Sequence, residues 1–215
     1  MPLSSVVGAQ SIVKPGVCTS STRPASPYDG QVIYETDTDK TLVYNGSAWV
    51  YLSTSRANPS GLDLIKTQTI GSAVSSVTVS DVFSSTYDNY KIMVTAGSSS
   101  ASVDMWMTLG STSTGYYYGL NYNIFNSTAS ATGASNAAKW AYAGSSTGTS
   151  ISINADLLSP FLNEYTFFSS IVTSDGYVGT GGGLLGNTTS YTAFTITPSS
   201  GTLTGGTIAV YGYAK

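Results

Sequence analysis

The sequence predicts an all-β protein: an N-terminal extended arm and small antiparallel meander followed by a jelly-roll-like β-sandwich. Three observations carry this expectation. Only 9% of the 215 residues are charged, while Tyr alone contributes 16; an average soluble domain has roughly 25% charged residues. The surface must therefore be covered by Ser, Thr, Asn and Gly. Thr, Tyr and Val fit pleated surfaces, whereas Gly and β-branched residues are weak helix formers. Segments such as SVTVSDVF, YKIMVTA and TIAVYGYA alternate or run briefly continuous in apolar residues, as half-buried and fully buried strands do. Turn signals recur about every 8–12 residues, the rhythm of sandwiches and barrels.

Taken in order, residues 1–22 have no clear period and read as an extended arm. Arg23–Asp29 contains two prolines and reads as a turn-rich entry. Gln31–Glu35 and Thr41–Tyr44 are strand-like runs around the turn TDTDK, and Asn45-Gly46 signals a hairpin before Ala48–Leu52. These make a meander at 30–52, within an N-terminal region 1–52 that a linker at 53–61 separates from the sandwich at 62–215. Strands are expected there near 64–70, 74–79, 90–96, 103–109, 115–122, 137–142, 150–157, 164–173, 190–197 and 207–213. Ser80–Ser85 suits one helical turn at most. Gly179–Gly183, GTGGG, reads as a loop, its backbone too free for a central strand.

The composition argues against several kinds of chemistry. Net charge is −3 with no Lys/Arg run, so a nucleic-acid partner is not expected. The N-terminal stretch lacks the pattern of a signal peptide, and no apolar run approaches the roughly 20 residues of a membrane span. Cys18 has no second cysteine to bridge and reads as a small residue in a loop. Without histidine there is no Ser-His-Asp or Cys-His catalysis and no usual transition-metal site. Asp156 and Glu164 are the closest carboxylates of the C-terminal region and read as solvated ends of the turn LLSPFLN rather than a glycosidase pair. Glu35, Asp37 and Asp39 read as a polar hairpin tip, with calcium as the alternative. GTGGG lacks the GK[ST] of a phosphate loop. The chain is therefore expected to be non-enzymatic and to carry no cofactor.

Aromatic residues are the most suggestive feature. Tyr116, Tyr117, Tyr118 and Tyr122, with Trp140 and Tyr142, form a cluster whose three consecutive tyrosines must split between two faces of a strand. At least one then points away from the core. An outward Tyr suits a subunit interface or a sugar ring. Trp106, between Met105 and Met107, is expected in the core.

Thr22–Pro24, Gly30–Tyr34, Val43–Gly46 and Trp49 match a pattern in which an RP…P…GQ-hydrophobic-Y-x-T strand turns into hydrophobic-Y-N-G-x-x-W. On these residues the stretch resembles a short module of bacteriophage tail-fibre and other virion proteins. The remainder looks like the sandwich that often follows, from Tyr87-Asp88-Asn89-Tyr90-Lys91, Tyr116–Tyr118 and the closing Gly206–Tyr213. The resemblance implies a virion component, often a homotrimer, that docks on other virion proteins and contacts a host glycan or protein. Tyr34, Tyr44 and Trp49 are the expected attachment face, and the aromatic cluster the expected receptor or subunit contact. A capsid decoration protein and, more distantly, a carbohydrate-binding module are the alternatives.

Overall fold

The computed structural model describes residues 15–52, 61–126 and 128–215. Residues 1–14 of the expected arm and 53–60 of the expected linker lie outside the described residues. The chain divides into two compact units, Met1–Asn58 and Pro59–Lys215.

The first unit is a four-stranded sheet in the order β1 (Gly16–Cys18), β2 (Val32–Glu35), β3 (Lys40–Tyr44), β4 (Trp49–Tyr51). The last three form the expected antiparallel meander. The Asn-Gly turn forms because the Asn45 carboxamide oxygen accepts the N–H groups of Ser47 and Ala48 at 3.1 and 2.9 Å, and Gly46 takes φ +87°. Unlike the arm expected for 1–22, Gly16–Cys18 is a strand parallel to β2. Cys18 is therefore half-buried in a strand rather than a loop. Arg23, in the crossing between β1 and β2, pairs with the buried carboxylate of Glu35.

The second unit is built from β5 (Leu62–Thr69), β6 (Val77–Val79), β7 (Asn89–Thr95), β8 (Ser98–Ser99), β9 (Ser102–Leu109), β10 (Tyr116–Ile124), β11 (Ala129–Ala137), β12 (Trp140–Thr147), β13 (Ile151–Leu158), β14 (Thr166–Thr173), β15 (Tyr177–Leu185), β16 (Phe194–Pro198), β17 (Leu203–Thr204) and β18 (Thr207–Tyr213). All its strand pairs are antiparallel, and the described residues contain no helix. One layer runs β5-β18-β7-β13-β14-β15-β10-β11, the other β12-β9-β16-β6.

The layers join at β13. Along Asn154–Leu158 its edge opposite β7 pairs with β14; along Ile151–Ile153 that same edge pairs with β12. β12 thereby passes over β14, and the Ser170 hydroxyl donates to the Tyr142 carbonyl at 2.6 Å across the gap. Period-two alternation sends Tyr90, Ile92, Val94, Ile153, Ala155, Leu157, Phe168, Ile208 and Val210 inward from one layer. Met105, Met107, Leu109, Trp140, Phe194 and Ile196 answer from the other, and all are buried. The result is an all-β sandwich with a single aromatic-rich core.

Several expectations need correction. Gly179–Gly183 is not a loop but the middle of β15, hydrogen-bonded to β10 and β14. Two of its glycines are demanded by close approach: a Cβ on Gly183 would lie 2.0 Å from the Tyr117 carbonyl oxygen, and one on Gly179 2.5 Å from that of Asn121. β11, ASATGASNA, has no apolar alternation and was not expected as a strand. Ser80–Ser85 is an irregular loop rather than a helical turn; Asp81 has φ 57°, and Val82 and Phe83 are buried. Trp106 does not enter the core. Alternation gives that place to Met105 and Met107 and turns Trp106 outward, where Lys139 Nζ lies 3.5 Å from its ring centroid.

Candidate functional site

In the first unit the three expected attachment residues do not share a face. Register puts Ile33, Glu35, Leu42, Tyr44 and Trp49 on one side of the sheet and Val17, Val32, Tyr34, Val43 and Val50 on the other. Tyr44 and Trp49 meet edge to face, centroids 5.5 Å apart. Tyr34 instead donates its hydroxyl to Asp39. The three carboxylates of ETDTD diverge rather than converge. Glu35 takes Arg23 and the Thr38 hydroxyl, Asp37 takes the Ser20 amide and hydroxyl, and Asp39 takes Tyr34. Arg23 first and Thr38 second hold the Glu35 carboxyl below the usual carboxylate range.

In the sandwich, β10 splits the tyrosine triplet. Tyr116 points inward and is fully buried, its ring 5.0 Å from that of Trp140, which is also fully buried. The contact role expected of Tyr116 and Trp140 is thus corrected to a core role. The Tyr116 hydroxyl accepts from the Leu109 amide at 2.8 Å, and burial pushes it up to about 12.

Tyr117 points to the outer face and is 41% exposed. Register aligns it there with Leu184, Phe167 and Leu158 in one row across four strands. Phe167 and Leu158 are 47% and 43% exposed, so the row is a solvent-facing apolar ridge. The next row, Gly119, Gly182, Ser169 and Asp156, is low. Asp156 lies within β13, not at a loop end. It accepts from Lys91 at 3.1 Å and from the Tyr213 hydroxyl at 2.6 Å, while Glu164 is exposed in the turn that follows. That bond, with burial second, raises the Tyr213 hydroxyl to about 12.

Tyr118, Tyr122 and Tyr142 come together between the layers. Tyr118 and Tyr142 meet edge to face at 5.9 Å, and Tyr122 meets Tyr177 likewise at 5.2 Å. A cleft of about 420 Å³ opens between β10, β12 and the start of β15. Tyr122, Tyr142, Tyr177, Leu120, Ile124 and Asp104 are among its lining residues. The Tyr177 hydroxyl donates to Asp104 Oδ1; burial first and this bond second raise its pKa. Sequence reasoning missed Tyr177 and Asp104. The available signal was the period-two series Tyr177, Gly179, Gly181, Gly183, which marks one strand face with an aromatic at its end.

Among the described residues no helix is long and apolar enough to cross a membrane. No protein-family model, curated protein or solved structure matches the chain.

Proposed function

We propose that the chain is a non-enzymatic structural protein of a bacteriophage virion, docked on the particle through its N-terminal region and projecting the sandwich toward a host. The pattern of Thr22–Pro24, Gly30–Tyr34, Val43–Gly46 and Trp49 supports the attachment half of this reading. The observation that carries the projecting half is the exposed ridge of Tyr117, Phe167 and Leu158, on an outer face that also exposes Ile171 and Val178. An apolar row of this kind favours contact with another surface, here identical subunits of a homotrimer. Low charge fits the same role, because charges are costly to desolvate between subunits.

Deleting residues 1–52 tests the division of labour. The truncated chain is expected to keep the far-ultraviolet circular dichroism of a β-protein and to oligomerise, yet to be absent from particles assembled without the native copy. Incorporation at the native level would move the docking surface to the sandwich and favour a capsid-decoration role.

A further inference from the structure

We propose that the cleft between β10, β12 and β15 binds an uncharged glycan. The proposal deepens the reading of the sandwich as the host-contacting part of the protein, and rests on it for biological purpose only.

A volume of about 420 Å³ falls in the roughly 300–1,000 Å³ range of small-ligand sites. The cleft's walls come from β9, β10, β11, β12 and the start of β15, so strands hold most of its lining in place.

Tyr122, Tyr142 and Tyr177 are each half-buried, and the Tyr122–Tyr177 pair is edge-to-face, 61° between planes. An edge-to-face pair covers one face of one ring only, and a rigid amphipathic ring suits the apolar face of a pyranose. Asp104 Oδ1 is taken by Tyr177, and among the described residues no hydrogen bond reaches Oδ2. A carboxylate oxygen is a pure acceptor and suits a sugar hydroxyl.

Asp104 is the one carboxylate lining this cleft, and the adjoining cavity of about 270 Å³ adds Asp175. Neither is lined by Lys or Arg. Sialylated, phosphorylated or uronic glycans would meet uncompensated negative charge, so the cleft selects neutral sugars.

The test uses the purified full chain and saturation-transfer NMR. The probes are neutral oligosaccharides of glucose, galactose, rhamnose and N-acetylglucosamine, with sialyl-lactose as the anionic counterpart. At least one neutral probe should bind, and sialyl-lactose should not. Asp104→Asn keeps an acceptor for Tyr177 and should weaken binding about tenfold or more, as loss of a charge-assisted hydrogen bond does. Tyr122→Ala should abolish transfer, while Tyr122→Phe should retain affinity within about threefold because the ring face remains. Unchanged circular dichroism checks the fold of each variant. No binding of any neutral probe, preference for sialyl-lactose, or binding unaffected by both Asp104→Asn and Tyr122→Ala would overturn the proposal. Presence of the protein on particles is measured separately, so an empty cleft and a wrong virion assignment are distinguishable.

Discussion

The indole of Trp140 lies flat on the ring of Phe168, centroids 4.7 Å apart and planes 12° from parallel. One belongs to β12 and the other to β14, so this stack clamps the two layers near the strand where they join. Phe168→Ala and Trp140→Ala are each expected to cost about 3–5 kcal/mol in denaturant unfolding, the range for emptying a large aromatic site. Trp140 Nε1 is buried without a hydrogen-bond partner among the described residues. Trp140→Phe removes that orphan donor along with volume, so its cost should be clearly smaller than that of Trp140→Ala.

Glycines in β15 give a position-specific prediction. A Cβ at Gly183 collides with backbone at 2.0 Å, whereas one at Gly182 finds the Phe168 carbonyl oxygen at an unstrained 3.5 Å. Gly183→Ala should therefore destabilise by about 1–3 kcal/mol, as overpacking does. Gly182→Ala should change the unfolding midpoint little.

This strand also shows what the sequence conceals. Strands with an apolar period, such as Tyr90-Ile92-Val94 in β7 and Ile208-Val210 in β18, were legible because burial imposed the alternation. In β15 the inward positions are glycines, selected by backbone approach rather than by transfer from water, and that leaves no hydrophobic signature. β11 is an edge strand of small residues with no buried face, so it has no period either. The cleft was legible in half. Tyr122 and Tyr142 stood out as part of an aromatic cluster, but Asp104 and Tyr177 reach it from β9 and β15, which are distant in sequence. Trp106 was misplaced because neighbouring methionines say nothing about phase; strand alternation sends it to the opposite face.

Alkaline pH should unfold the sandwich in steps that tyrosine absorbance reports. Burial raises Tyr116 to about 12, and the bond to Asp156 raises Tyr213 to about 12; burial and Asp104 raise Tyr177. Folding thus favours the protonated phenols. Their contribution is complete below the ordinary value of about 10 and is lost as pH rises from there through about 12. Titration at 295 nm should leave a set of tyrosines protonated above pH 11. Asp156→Asn weakens the acceptor and should lower the Tyr213 value.

Acid acts on the first unit. The Glu35 carboxyl is held low by Arg23 and Thr38, and Asp37 is held low by the Ser20 hydroxyl and amide. Their contribution is present above the ordinary carboxylate range and is lost as pH falls through their lower folded values. The Trp49 indole resonance should disperse at neutral pH and collapse in acid. Glu35→Gln should reduce this acid dependence and leave the remainder to Asp37.

The outer ridge predicts the assembly. Phe167→Asp places a charge in the centre of the Tyr117–Leu158 row without touching the core. It should convert the oligomer to a monomer in light scattering while leaving circular dichroism unchanged. A wild-type chain that stays monomeric at high micromolar concentration contradicts the assignment of this ridge to a subunit interface.

Imaging purified particles after gold labelling of this chain tests the central proposal most directly. Label is expected at a fixed, symmetric position on the virion, in multiples of three copies, and should disappear when residues 1–52 are deleted. Label confined to the free protein fraction, with none on particles, would contradict a virion structural role.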